Sequence, residues 1–200
     1  MFPYRFVLRP VLGLIAACAL TACTQASEGP YAAGTQPMTM YVAALPSGVP
    51  VQVWYPADAS LGERPVIYTS AYWGQAKPRA AVSSGARFPL VVLAHGWKGT
   101  RFDQAWIAES LARHGYIVAA LNSPDCDAAT YSNSQAPKLW FRAHLLHTLI
   151  DTIAADERFA AVVDTAAVGV IGFSAGGSTA LVLGGAQIDP EGFARTFPES

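Results

Sequence analysis

Along this 200-residue chain, unbroken or alternating apolar runs are followed by apolar stripes of helical period. Val51-Gln52-Val53-Trp54-Tyr55 alternates as a strand does, Thr39 to Ala43 reads as its partner, and Pro46-Ser47-Gly48 between them predicts a hairpin turn. Val66 to Thr69 predicts a short strand, and Ala71 to Arg87, rich in Gly, Ala, Ser and basic residues, an irregular insertion. Leu90-Val91-Val92-Leu93-Ala94 is apolar throughout, as a central strand buried on both faces must be. Thr100 and Asp103 are placed to cap a helix whose Trp106 or Ile107 and Leu111 face the core, with His114-Gly115 ending it.

Tyr116 to Leu121 is the next strand, which completes a βαβ unit with a right-handed crossover. Asn122 to Pro137 is a polar loop. Leu139 to Ala154 predicts a second helix with Phe141, Leu145, Leu149 and Ile153 as its buried stripe. Asp164-Thr165 breaks the chain, Val168 to Ile171 predicts another buried strand, and Ala175 to Leu183 a third helix stopped by Gly184-Gly185. This alternation predicts an α/β fold: an open, mostly parallel, doubly wound sheet with helices on both faces. No internal repeat is present.

The first residues change the picture of where this domain begins. Arg5 and Arg9 precede an apolar run, Val11 to Leu20, of about ten residues, too short to span a bilayer and typical of an export signal. Leu20-Thr21-Ala22-Cys23 resembles a bacterial lipobox, although an ordinary signal peptide can also end in a cysteine. The expected division is a signal peptide over 1–22, a small, polar tether over 23–37 beginning at a lipidated Cys23, and a folded domain over 38–200. Thr24 after that cysteine resembles lipoproteins sent to the outer membrane. The expected location is therefore the bacterial envelope, on its periplasmic face, with the membrane as a partner through the lipid. Once Cys18 is cleaved and Cys23 acylated, Cys126 is the only thiol left, so no internal disulfide is expected.

Composition excludes one class and permits the rest. A formal net charge of -1 and 52% hydrophobic residues suit one buried core and lack the basic stripe a nucleic-acid partner requires. Nothing in the sequence fixes an oligomeric state. His144 and His147 lie one helical turn apart, but no third ligand completes a metal set, and no metal or organic cofactor is expected.

The chemistry sits in Gly172-Phe173-Ser174-Ala175-Gly176. A serine hydroxyl is a weak nucleophile and needs an exposed position beside oxyanion donors and a base. The G-x-S-x-G turn between strand and helix supplies the position, with Gly172 and Gly176 admitting close backbone approach. Ser174 is the candidate nucleophile. The backbone N–H groups of Ala175 and Trp97 are the candidate oxyanion donors, since His95-Gly96-Trp97 follows an earlier central strand. His95 reads as a brace for that loop rather than a catalytic base. His114, at a helix end, complements the dipole there.

Val51 to Pro56, Phe88 through Gly96, Ile107 to Ala120, Asp156-Glu157-Arg158-Phe159 and Ile171 through Gly177 together resemble the dienelactone-hydrolase-like branch of the α/β-hydrolases. Within it, the bacterial proteins similar to platelet-activating-factor acetylhydrolases are the nearest group. The resemblance runs from about Met40 to Phe197. It implies serine-dependent hydrolysis of carboxylic esters, with a small-molecule ester or lipid as substrate and no cofactor. In that fold an acid and then a histidine follow the nucleophile. Here only Asp189, Glu191 and Glu199 follow Ser174, and no histidine. The expectation is an N-terminal part of a longer hydrolase, lacking the last strands and only marginally stable. The alternative is a catalytically inactive, hydrolase-like envelope lipoprotein acting as a binding module.

Overall fold

The computed structural model describes residues 29–58, 66–69, 72–124, 139–187, 189, 191–192 and 195. The export signal, Cys23, Cys126 and most of the predicted 122–137 loop lie outside the described residues. Eight strands are present among them: β1 (Ala32–Val42), β2 (Leu45–Ala57), β3 (Val66–Ile67), β4 (Trp73–Gly74), β5 (Lys77–Pro78), β6 (Phe88–Ala94), β7 (Ile117–Leu121) and β8 (Val163–Gly172). Three helices accompany them: α1 (Ala105–Arg113), α2 (Leu139–Ala155) and α3 (Ala175–Leu183).

Six strands form one sheet in the order β5-β1-β2-β7-β6-β8, while β3 and β4 pair separately. β7, β6 and β8 are mutually parallel, β2 runs antiparallel to both β1 and β7, and β5 is parallel to β1. β6 lies between the strand that follows it and the strand after that, so the chain order reverses at its end and opens a crevice there.

The sheet's alternation sorts residues into two cores. Leu90, Val92, Ile117 and Ala119 face Leu145, Leu149 and Ile153 of α2, whereas Val91, Leu93, Val118 and Ala120 face Ala105, Ala108 and Ala112 of α1. Helices therefore cover both faces, as expected of a doubly wound sheet. Leu145, Leu149 and Ile153 are fully buried, each favouring the fold by about 1.5–3 kcal/mol over exposure.

Several expectations are corrected. β1 begins at Ala32, inside the stretch expected to be a tether, because Ala32 to Pro37 finds a full set of partners in Gln52 to Ala57. The hairpin turns at Ala43-Ala44; Pro46-Ser47-Gly48 instead forms a bulge opposite Tyr41, with Gly48 at φ +76°. Thr100 and Asp103 bond to each other in a turn ahead of α1, whose cap position is Gln104 without a side-chain bond. Of the two alternatives on α1, Ile107 with Leu111 packs against the core beside the buried Ala105, Ala108, Glu109 and Ala112, whereas Trp106 faces out at 73% exposure. Gly115 closes the helix at φ +90°, as expected.

Asp164-Thr165 does not break β8. Three extra residues, Thr165 to Ala167, bulge between the pairings Pro89↔Asp164 and Leu90↔Val168, held by Ala166 N–H donating to Asp164 Oδ1. Val168, expected to be buried, is 41% exposed because β8 is the edge of the described sheet.

Candidate active site

β8 runs straight into α3 through Ser174, which sits at φ 53°, ψ −121°. A β-carbon is disfavoured at that backbone geometry, and a serine found there is held by its surroundings. Those surroundings are backbone. Phe173 N–H donates to Ala94 O at the end of β6 (3.1 Å), and Gly176 and Gly177 N–H donate back to Phe173 O and Ser174 O (2.8 Å each). A β-carbon on Gly172 would collide with Gly176 O, and one on Gly176 with Ala94 O. The two glycines are thus the condition for the turn to lie against β6. Ser174 itself is exposed.

The 95–97 loop lies alongside. A β-carbon on Gly96 would stand 3.2 Å from Phe173 Cδ1 and 3.5 Å from Ser174 Cβ, so Gly96 is in contact range of the elbow. Ala175 N–H, first in α3, has no acceptor within its helix and lies at the positive end of the helix dipole. The sequence-predicted residues Trp97, Gly172, Ser174, Ala175 and Gly176 therefore fall within two adjoining turns at the carboxyl ends of β6 and β8. Trp97 is 41% exposed.

His95 is buried and braced. Ser123 N–H donates to its Nε2 (3.0 Å), so the ring proton resides on Nδ1, which donates to Gly96 O (2.7 Å). Arg142 of α2 donates from Nη2 to His95 O at 2.6 Å, both residues being buried. Behind them a cavity of about 10 Å³ is bounded by His95, Ser123, Arg142 and Thr179, the size of roughly one water.

The remaining histidines lie elsewhere. His114 Nδ1 bonds Ser110 O at the end of α1 (2.7 Å), and His147 pairs with Asp151 across one exposed turn of α2 (3.4 Å). Asp189 is engaged by Gly192 N–H (2.8 Å) and Arg195 (3.7 Å). No group of three metal-ligating side chains occurs among the described residues.

Sequence reasoning missed Arg142, Ser123 and Glu109. Glu109 is buried, accepting from Tyr68 OH (2.6 Å) and Gln75 N–H (2.9 Å), while Trp54 Nε1 donates to the Tyr68 phenol oxygen Oη (2.7 Å). Burial and the neighbouring Glu109 carboxylate push the Tyr68 phenol well above its ordinary range. A signal existed for both charges: Arg142 lies three residues before Leu145 on the buried stripe, and Glu109 four residues after Ala105.

A sheet reversing at β6, helices on both faces and a strained serine turn after β8 define an α/β-hydrolase. The sequence matches the Dienelactone hydrolase family over residues 77–195, and the protein belongs to that family. Platelet-activating factor acetylhydrolase of Cavia porcellus is 27% identical over 58% of this chain and 29% of its own length. A ferulic acid esterase from Streptomyces cinnamoneus shares the fold, with a TM-score of 0.64 over 77% of this chain and 55% of its own at 23% identity. The chain thus spans just over half of one relative and under a third of the other.

Proposed function

We propose that the protein provides the nucleophile and oxyanion site of a serine-dependent carboxylic-ester hydrolase. The observation that carries this reading is the exposed Ser174 held at positive φ between β8 and α3, with the Gly96 loop beside it. Ser174 Oγ attacks the ester carbonyl carbon, and its proton passes to a general base that the described residues do not bring to it. Charge developing on the carbonyl oxygen is received by Ala175 N–H and Trp97 N–H. Collapse expels the alcohol and leaves the acyl group on Ser174, and water then releases the acid. Membership of the dienelactone hydrolase family supports ester chemistry.

A fluorophosphonate probe tests the nucleophile. Stoichiometric labelling that Ser174→Ala abolishes is expected. A folded chain that resists labelling favours a second reading, a hydrolase-like binding module, for which the engagement of both His95 ring nitrogens speaks.

The sequence supports export and lipid anchoring at Cys23, with the envelope as the site of action. Cys23→Ser is expected to abolish fatty-acid incorporation and partitioning into detergent. Membrane association that survives the substitution rules the anchor out.

A further inference from the structure

The aromatic rings of the core satisfy one another. Trp54 meets Tyr68 edge-on at 5.8 Å, Tyr68 stacks on Phe102 at 5.2 Å, and Tyr55–Phe159 and Tyr31–Phe88 each sit at 5.4 Å. Of the exposed rings outside these pairs, three gather at one place. Tyr72, Trp106 and Phe173, exposed by 39%, 73% and 67%, stand around a pocket of about 360 Å³ and have no ring partner among the described residues. Gly96 also lines this pocket and is the residue in contact range of Ser174, so the pocket adjoins the elbow.

Of the pocket's polar members, His95 and Asp103 are engaged within the fold, while Gln104 makes no side-chain bond to the start of α1. Asp103 Oδ1 accepts from Thr100 N–H (3.1 Å) and Thr100 Oγ1 (2.9 Å), and its charge complements the start of α1. The three rings form the pocket's apolar wall, and clustered exposed apolar groups mark binding surfaces.

We propose that this pocket is the subsite for an aryl group of the ester. The proposal rests on the reading of Ser174 as the nucleophile and names the substrate class for that same site. Aromatic faces carry negative and edges positive charge, so a planar aryl group can stack on one of these rings and meet another edge-on; a saturated ring of similar volume cannot. The volume lies at the small end of ligand pockets and suits one ring with a short linker. The Tyr72 wall is fixed in advance. Tyr72 N–H donates to Thr69 Oγ1 (3.1 Å), Tyr68 N–H to Tyr72 O (2.8 Å), and Tyr68 and Gln75 on either side are tied to Glu109. Such preorganisation lowers the ordering cost of binding.

The test compares 3-phenylpropan-1-ol with 3-cyclohexylpropan-1-ol by ligand-observed NMR titration of the full chain. The phenyl compound is expected to bind about two- to twelve-fold tighter, despite being the less hydrophobic. Trp106→Leu and Phe173→Leu, both at exposed rings, are expected to erase that preference. Equal or tighter binding of the cyclohexyl compound overturns the proposal, as does a preference that survives both substitutions, or choline binding tighter than either. This binding does not use Ser174, so Ser174→Ala retains it. A phenyl preference in a chain that resists fluorophosphonate leaves the subsite standing and removes the catalytic reading. Labelling without the preference does the reverse.

Discussion

Arg142 Nη2 donates to His95 O across 2.6 Å of buried space, which fastens helix α2 to the loop that flanks Ser174. A charge-assisted bond of this length is among the stronger kinds available to a protein. The carbonyl it serves is one residue before Gly96, so the guanidinium acts on the site through the loop and makes Arg142 a positioning residue.

Removing that guanidinium strands a buried acceptor. Arg142→Met is expected to destabilise the fold by about 1–3 kcal/mol, read by urea denaturation. It is also expected to slow fluorophosphonate labelling of Ser174 under conditions where the variant remains folded. Arg142→Lys, keeping a donor, should recover part of the labelling rate. An unchanged rate in folded Arg142→Met would show that the loop keeps its place unaided.

The positive φ of Ser174 predicts an asymmetry between two substitutions there. Glycine populates positive φ freely and alanine does not. Ser174→Gly should therefore be more stable than Ser174→Ala by about 1–3 kcal/mol, measured as a difference in denaturation midpoints at equal slope. Equal midpoints would mean that the turn stores no strain.

Gly74 is packed against Glu109 so closely that a β-carbon would overlap the carboxylate. Gly74→Ala is expected to push Glu109 away from Tyr68 and Gln75, at a cost of about 1–3 kcal/mol, and to weaken aryl binding at the neighbouring Tyr72. Gly85→Ser offers a contrast. Its β-carbon would meet nothing within 4 Å, so only the strain of φ +94° is expected, without effect on the pocket.

Asp156 supplies a pH-dependent contribution. Its carboxylate accepts from Arg158 Nε (2.7 Å), Nη2 (2.6 Å) and backbone N–H (3.0 Å), which hold its pKa below the usual carboxylate range. A lowered carboxylate pKa stabilises the fold above the unfolded value and loses that effect as pH falls through the folded one. Asp156→Asn should therefore be less stable than the parent at pH 7, and the gap should close as pH falls through the folded-state value. A gap of constant size across that range would assign the loss to packing rather than charge.

Much of this was legible in the sequence because it rests on local pattern. The G-x-S-x-G turn, the apolar run before Ala94 and the Leu145/Leu149/Ile153 stripe each carry their periodicity openly, and their elements match the structure closely. What was hidden depends on partners distant in sequence. Ala32 to Pro37 reads as a tether until β2 pairs with it, and Gly48 reads as a turn residue although it serves a bulge. Trp106 reads as core because it is large and apolar, yet α1 packs close to the sheet through alanines and leaves no room for it. Arg142 and Glu109 share helical spacing with buried residues, but a charge argues against burial until its distant partners, His95 O and Tyr68, are known.

Ala94 O receives Phe173 N–H and limits what Gly176 can be, and the next residue along begins the 95–97 loop. Both turns of the site are thus gauged from a single peptide, as two parts machined from one reference edge. A displacement of Ala94 would therefore carry both turns with it and leave the spacing between Ser174 and Gly96 as it was.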